Sequence, residues 1–310
     1  MPTAQAPEPR RLPILPNRIL GRKDTMTIAA GFRFADGILL CADTQISYGG
    51  IEKVSGTKIL PFEFKNGSKV VFTFSGTVNY AKGGIKQCVR AISKLPAVSR
   101  EELENAICDS LNEYFKKLVY THPHYQQAGG PDFFLVIGLW SPKDGLGLYE
   151  TLDATVTEIT ERDKFAITGI GGTLGRYLAG PMMGHSGYSM PDISTISTHV
   201  LSEVMANVES CGKGAEFVVL TKEGVFSSIV SYGTSHVEDV FAAFHQSINM
   251  AFLELCDLSS PGDERIIERL DALRTLVISC RQQMLRDKEK HRGRDHLIEM
   301  LMDWKVRRID

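Results

Sequence analysis

Short apolar runs separated by turn residues predict most of the strands in this chain. The run Ile38–Ala42 follows the hairpin turn Asp36-Gly37 and ends at Asp43. Runs of this kind predict strands near residues 27–34, 38–42, 55–62, 70–74, 133–139, 146–151, 165–167, 217–220 and 225–230. Because several of these runs are apolar throughout, we expect their sheets to be covered on both faces.

Segments with a helical period lie between the strands in two pairs. A helix in the first pair opens with Ser99 and Glu102, which form the pattern of a capping box. The second pair is predicted near residues 172–181 and 193–209. Strands, a helix pair, more strands, a second helix pair and a last hairpin fit two stacked sheets with helices outside. We therefore predict an α+β fold with four layers, in the order helix, sheet, sheet, helix, over residues 27–233.

Residues 234–310 have the pattern of a C-terminal helical extension. One helix is predicted over residues 237–255, a second follows it, and a short last helix lies near 297–304. The second helix carries apolar residues at alternating spacings of four and three, which is a heptad seam. The seam consists of Ile266, Leu270, Leu273, Val277, Cys280 and Met284. It packs either onto its own domain or against another subunit, and the sequence leaves both interpretations open.

Residues 1–26 show neither the helical nor the strand period of apolar residues. Pro7, Pro9, Pro13 and Pro16 interrupt the segment, so it lacks the continuous apolar core of a secretory signal. A segment of this composition cannot bury enough apolar surface to offset its ordering entropy. We interpret it as a removable leader, similar to a propeptide.

Composition narrows the classes of partner and compartment. The 310 residues are 43% hydrophobic and 23% charged with a net charge of -2, which gives no reason to expect nucleic acid or a membrane surface as a partner. No apolar run reaches the roughly 18 residues of a transmembrane helix. The six cysteines are scattered without a Cys-x-x-Cys pair, which indicates reduced thiols in a cytosol-like compartment. We expect a cytoplasmic protein.

The segment from Thr27 to Asp43 resembles the opening of proteasome β subunits. In that family a Thr begins the mature chain, a strand runs to an Asp-Gly turn, and an apolar strand ends in Asp, with the same spacing. Lys58 falls one residue short of the family's Lys, and Ser75-Gly76 resembles the family's Ser-Gly strand end. The chain is thus similar to a bacterial or archaeal-like homologue of the 20S proteasome β-type subunit. The resemblance implies the fold of an N-terminal-nucleophile (Ntn) hydrolase.

The resemblance also implies a set of catalytic residues. Thr27 would be the nucleophile once it is the first residue, because its own α-amine, which titrates at about 7.7–8, can take the hydroxyl proton. A Lys58 ammonium would lower the pKa values of the amine and hydroxyl, and Asp43 would keep that ammonium charged and aimed. The N–H of Gly76 would be the oxyanion-hole donor, a role typically worth about 2.7–4 kcal/mol. No cofactor or metal is implied.

Two departures from the family pattern concern residues that support the nucleophile. The family's Gly-Ser-Gly segment has Ile170 in place of Ser, and its Asp-x-x-Ser-Gly-Gly segment corresponds to Asn207–Gly212. Ser210 is retained as a supporting hydroxyl, whereas Asn207 cannot carry the negative charge of the Asp.

The leader must be absent for Thr27 to have a free amine. Autocleavage between Met26 and Thr27 is one route, and initiation at Met26 followed by removal of the methionine is another. Thr25 is a competing first residue, but its spacing to Asp43 is two residues too long.

The first hypothesis for function is a threonine-type peptidase subunit that hydrolyses unfolded polypeptide. The resemblance implies a homo-oligomeric ring or an assembly with other proteasome-like subunits, with an unfoldase as a further partner. A second hypothesis is a catalytically silent scaffold, in which Thr27 is an ordinary strand residue and Lys58 a solvated one. A third is an Ntn amidohydrolase of small amides. Only the third would turn over small amides while ignoring peptides.

Overall fold

Two largely antiparallel sheets form the body of the protein. The structure, a computed structural model, describes residues 27–48, 52–96, 98–125, 130–184, 187–212, 214–230, 246, 248–250, 253, 264–291 and 307–309. In chain order, strands β1 to β13 are Ile28–Phe34, Gly37–Asp43, Gln45–Tyr48, Glu52–Ser55, Ile59–Phe64, Lys69–Gly76, Phe133–Ser141, Gly145–Leu152, Thr155–Glu158, Phe165–Gly169, Ala215–Thr221, Val225–Val230 and Arg307–Ile309. Helices α1 to α5 are Val78–Ile92, Arg100–Tyr114, Gly172–Met182, Met190–Asn207 and Glu264–His291.

The first sheet has the strand order β10-β1-β2-β11-β12, and the second has the order β13-β5-β6-β7-β8-β9. Within the described residues, strands β3 and β4 pair with each other and with no further strand. Every residue of β2 is buried, as its continuous apolar sequence predicts for a strand covered on both faces. The mixed α+β class that the sequence predicts is therefore confirmed.

Three apolar clusters hold these elements together. One lies between the sheets and includes Leu40 of β2 and Val136 of β7. A second packs α1 and α2 onto the outer face of the second sheet, with Leu111 in contact with this cluster. A third packs α3 and α4 onto the outer face of the first sheet and contains Ile28 and Val200. Each sheet is thus covered by apolar side chains on both faces, and polar groups buried in these layers require specific hydrogen-bond partners.

The helix starts follow local rules. Ser99 and Glu102 form the predicted capping box of α2, and Ser189 with Asp192 forms a second one at α4. A single π-helical turn, Phe115–Val119, continues α2. Among the described residues, no helix combines the length and the apolar character needed to cross a membrane.

The strand predicted near residues 55–62 differs from the observed structure. β4 ends at Ser55 and β5 begins at Ile59, so residues 56–58 connect two different sheets. The N–H of Gly56 donates to the carbonyl of Thr44, which extends the pairing of β3 with β4 by one residue before the chain leaves the small sheet. This break carries Lys58 into the interior.

The second predicted helix of the C-terminal extension lies within α5. Leu270 and Val277 of the predicted seam are 52% and 45% exposed, so in this chain alone they are not packed in a bundle. The predicted helix over residues 237–255 and the short one near 297–304 fall mostly or wholly outside the described residues, as does the leader over residues 1–26. The domain boundaries remain predictions.

Candidate functional site

Asp43, the last residue of β2, accepts hydrogen bonds from four donors. Its Oδ1 accepts the Lys58 ammonium at 2.8 Å and the N–H of Ile28 at 2.9 Å. Its Oδ2 accepts the N–H groups of Gln45 and Gly212, each at 3.2 Å. Burial raises the pKa of this fully buried carboxyl, and the Lys58 ammonium and the backbone donors oppose that rise.

Lys58 connects Asp43 to Thr27. Its side chain is only 1% exposed, and its Nζ donates to Oγ1 of Thr27 at 2.5 Å as well as to Asp43. Burial lowers the pKa of the Lys58 ammonium, and the Asp43 carboxylate opposes the change. The structure thus brings together three of the residues predicted from the sequence, in a chain from carboxylate to ammonium to hydroxyl.

Thr27 lies immediately before β1 and is itself 5% exposed. Its carbonyl oxygen accepts the N–H of Gly171 at 3.4 Å. Gly169, the last residue of β10, approaches the same carbonyl so closely that a Cβ there would lie 2.2 Å from the oxygen. Since Gly169 also has a φ of +94°, only glycine fits this place without strain. The backbone of Thr27 is therefore held tightly against the end of β10.

Gly76 ends β6 just before α1, with a φ of +99°. A Cβ at this position would lie 2.4 Å from the carbonyl oxygen of Asp132. The following residue, Thr77, donates its N–H to the same oxygen at 2.7 Å. The strand-to-helix turn that the sequence predicts around Gly76 is thus present, and its role as an oxyanion donor remains a prediction.

Ser210 contributes through its backbone. Its carbonyl accepts the side-chain amide of Gln45 at 3.2 Å, and within the described part of the chain its hydroxyl makes no hydrogen bond to Thr27. Asn207, which stands in place of the family's Asp, is exposed and donates to the carbonyl of Glu203 at 2.8 Å. Ile170 is 49% exposed. Neither of these two departures introduces a polar group beside Thr27.

Two polar features of the site were not predicted from the sequence. Glu216, in β11, is 2% exposed and accepts the backbone N–H of Lys58 at 3.2 Å. The hydroxyls of Ser75 and Thr168 lie 3.2 Å apart and join β6 of one sheet to β10 of the other. Glu216 lies one residue before the predicted strand 217–220, and it is the one charged residue of the observed strand Ala215–Thr221.

The arrangement is suited to activating a hydroxyl. A buried cation against Oγ1 stabilises an alkoxide relative to the alcohol, because the surrounding medium screens little. The free thiol of Cys211 is also buried near the pair, and burial raises its pKa to about 12, so it stays protonated. The hydroxyl of Thr27 is therefore the group that the buried Lys58 ammonium contacts at this site.

Solved structures of Anbu proteins are similar to this chain. An Anbu (Gly-1) mutant from Hyphomicrobium sp. strain MC1 has a TM-score of 0.62 at 14% identity, over 74% of this chain and 99% of that one. Anbu, described as an ancestral beta-subunit, from Yersinia bercovieri has 0.61 at 12% identity, over 72% and 96%. A helical assembly of the Anbu complex from Pseudomonas aeruginosa has 0.61 at 12% identity, over the same shares. At these identities the similarity concerns the fold alone.

No protein-family model and no curated protein matches the chain. The identification as a proteasome β-type subunit is wrong, because the similar structures described above are Anbu proteins. The quoted motif is local: the spacing from Thr27 to Asp43 specifies the β1–β2 hairpin and its ends. Such a hairpin does not by itself identify a β-type subunit.

Proposed function

We propose that this protein is a threonine-type Ntn hydrolase that cleaves peptide bonds of unfolded polypeptide as a subunit of a proteasome-like assembly. The observation that carries the proposal is the buried chain Asp43–Lys58–Thr27, with 2.8 Å and 2.5 Å between successive polar atoms. A structural role alone does not require a buried ammonium to end on a threonine hydroxyl at the start of a strand. Burying an ion pair is costly, and an apolar pair of similar volume often serves stability as well.

The reaction follows from these groups once Thr27 is the first residue. Its hydroxyl adds to the carbonyl carbon of the peptide while its α-amine takes the hydroxyl proton. The amine then returns the proton to the leaving amine, and the C–N bond breaks to give an acyl ester on Thr27. Water adds to the ester with the amine again acting as base, and the acid product is released. Lys58 stabilises the developing alkoxide, and Asp43 holds Lys58 in its charged form.

Two further residues take supporting roles in the proposal. The N–H of Gly76 stabilises the oxyanion of both tetrahedral intermediates. Ser210 supports the site through the carbonyl that fixes Gln45 beside Asp43. These roles need neither a metal nor an organic cofactor.

The proposed fold and assembly extend the same interpretation. We interpret the two sheets and their outer helix pairs as the four-layer αββα sandwich of Ntn hydrolases. One similar structure is a helical assembly of an Anbu complex, which supports a homo-oligomer of many subunits here. A closed ring and an unfoldase partner stay predictions.

A catalytically silent scaffold is the second candidate, and the comparisons favour it over the peptidase. One similar structure is described as an ancestral beta-subunit and another as a helical assembly, and neither description mentions a reaction. The exposed Ile170 and the outward-facing Asn207 point the same way, since both replace polar groups that would support the nucleophile.

The deciding experiment compares the full-length wild type with Thr27→Ala, and with Thr25→Ala as the matched control. Intact mass and N-terminal sequencing identify the first residue, and an electrophilic peptide probe reports a reactive Thr. We expect the wild type and Thr25→Ala to begin at Thr27 and to gain one probe mass, whereas Thr27→Ala keeps its leader and gains none.

Each other outcome selects an alternative. If all three proteins begin at position 27, removal is external and the probe alone decides whether Thr27 is reactive. Turnover of small amides without turnover of peptides would select the amidohydrolase. If the leader is retained in every protein and no probe binds, the peptidase proposal fails and the scaffold takes its place.

A further inference from the structure

Glu216 is a third buried ionisable side chain beside Lys58 and Asp43, and the proposed reaction makes no use of it. In β11 it pairs with Ala42, and its neighbour Ala215 pairs with Asp43. Because side chains alternate along a strand, Glu216 is on the same side as Val218, which packs between the sheets. Its carboxyl therefore enters the apolar layer between the two sheets, where it is 2% exposed.

One carboxyl oxygen of Glu216 has a defined partner. Its Oε2 accepts the backbone N–H of Lys58 at 3.2 Å. The ladder between β5 and β6 begins one residue later, with Ile59 opposite Thr73, so it does not use this N–H. A buried N–H without an acceptor is costly, and Glu216 satisfies it from the other sheet. The contact thus fixes the backbone of the residue whose side chain reaches the nucleophile.

The other carboxyl oxygen of Glu216 indicates that a glutamate at this position does not serve the stability of the fold. Oε1 is buried and has no hydrogen-bond partner in the described part of the chain. Burial raises the pKa of Glu216, and the N–H groups of Lys58 and Ile59 oppose the change. A carboxyl group that is desolvated and half satisfied opposes folding, so the position it gives to another group is a better explanation of its presence than stability.

We propose that Glu216 is a positioning residue, which holds the Nζ of Lys58 against Thr27 and Asp43 through the backbone N–H of Lys58. The inference rests on the proposed function and adds to it a residue that touches neither substrate nor nucleophile. The acceptor oxygen carries the role and the negative charge does not. A glutamine should therefore replace Glu216 in function, and an apolar residue of similar size should not.

The test uses the full chain with Glu216→Gln and Glu216→Leu, and with Glu223→Gln in the same hairpin as an exposed control. The readouts are kcat and KM for a peptide substrate, the rate at which the electrophilic probe modifies Thr27, and the midpoint of thermal unfolding. We expect Glu216→Gln and Glu223→Gln to keep kcat within about twofold of the wild type. For Glu216→Leu we expect kcat and labelling to fall about 10- to 100-fold with little change in KM, because a displacement of about 1 Å has effects of that size.

A merely structural role gives a different result. In that case Glu216→Leu loses unfolding midpoint and folded fraction, while kcat per folded molecule stays at the wild-type value. An equal loss of kcat in the Gln and Leu variants would also overturn the inference, because it would assign the effect to the charge. If Glu216→Leu does not fold, Glu216→Met takes its place.

Crystal structures of the wild type and both variants separate this inference from the proposed function. A wild type that neither turns over peptide nor reacts with the probe rejects the function, but the position of Lys58 can still be measured. We expect the contact between Nζ of Lys58 and Oγ1 of Thr27 in the wild type and in Glu216→Gln, and its loss in Glu216→Leu. An unmoved Lys58 in Glu216→Leu contradicts the inference whatever the activity.

Discussion

The ammonium of Lys58 lies 2.8 Å from Oδ1 of Asp43, with both side chains withdrawn from solvent. Lys58 lies immediately before β5 and Asp43 ends β2, so the ion pair joins the two sheets. A buried ion pair of this kind contributes little net stability to the fold. Removing one of its charges is nevertheless costly, because the other charge is left buried and unpaired.

Removal of Lys58 should therefore destabilise the protein strongly. We expect Lys58→Met to lower the free energy of unfolding by about 3–5 kcal/mol, because it leaves a buried carboxylate without its cation. Chemical denaturation at neutral pH measures the change. The double variant Asp43→Asn/Lys58→Met should recover part of the loss, since no charge is then left unpaired. A Lys58→Met protein as stable as the wild type would mean that Asp43 is not charged in the folded state.

Gly76→Ala should lower the free energy of unfolding by more than the strain of a positive φ alone. Gly145 is a matched position, with a φ of +78° and the nearest atom to an added Cβ at 3.5 Å, whereas at Gly76 the nearest atom is a backbone oxygen at 2.4 Å. We expect Gly145→Ala to lose about 1–2 kcal/mol of stability through backbone strain. Gly76→Ala should lose about 1–3 kcal/mol more, because its Cβ forces the backbone of Asp132 to move. Equal losses at the two positions would show that this turn can shift without cost.

The hydroxyl pair Ser75–Thr168 should show strong coupling. Either single change, Ser75→Ala or Thr168→Val, leaves one buried hydroxyl unpaired and should cost about 1–3 kcal/mol. The double variant removes both polar groups and should cost less than the sum of the two. A double-mutant cycle from denaturation curves gives the coupling energy. Additive losses would indicate that each hydroxyl finds another partner.

The charge of Glu216 should be visible in the pH dependence of stability. Its folded pKa is raised above the ordinary value of 4.5, with burial as the main cause, so the folded state prefers the protonated carboxyl. The stability associated with that proton is complete below pH 4.5 and is lost as the pH rises through the folded pKa. We therefore expect Glu216→Gln to gain stability relative to the wild type between pH 4.5 and neutrality, measured by denaturation at several pH values. A constant difference across this range would contradict the raised pKa.

Local features of the fold followed from the sequence more readily than the site did. The β1–β2 hairpin and the cap at Ser99 depend on neighbouring residues, and both were predicted and confirmed. The convergence of Thr27, Lys58 and Asp43 depends on packing between two sheets, so no local pattern could predict it. It was expected only through a resemblance, and the family named on that basis was wrong.

Two misses have physical causes of the same kind. The strand predicted across residues 55–62 is interrupted because residues up to Gly56 pair with the β3 side of the small sheet, whereas the chain from Ile59 pairs with β6. An apolar run does not encode this division between two sheets. Glu216 was overlooked because the apolar run that predicts the strand begins only at Phe217, one residue later. Its partner, the N–H of Lys58, lies on the other sheet.

The four hydrogen bonds to Asp43 also bear on the timing of synthesis. One donor, the N–H of Gly212, is encoded near the far end of the two-sheet body, after β10, α3 and α4 have been made. While the ribosome is still producing those segments, a growing chain has Thr27, Asp43 and Lys58 but cannot complete the carboxylate's set of partners. The partners of Asp43 are thus complete only once the chain has been made through Gly212, just before the last strand pair of the body. A chain that stops short of Gly212 leaves the carboxylate beside Lys58 one hydrogen-bond donor short.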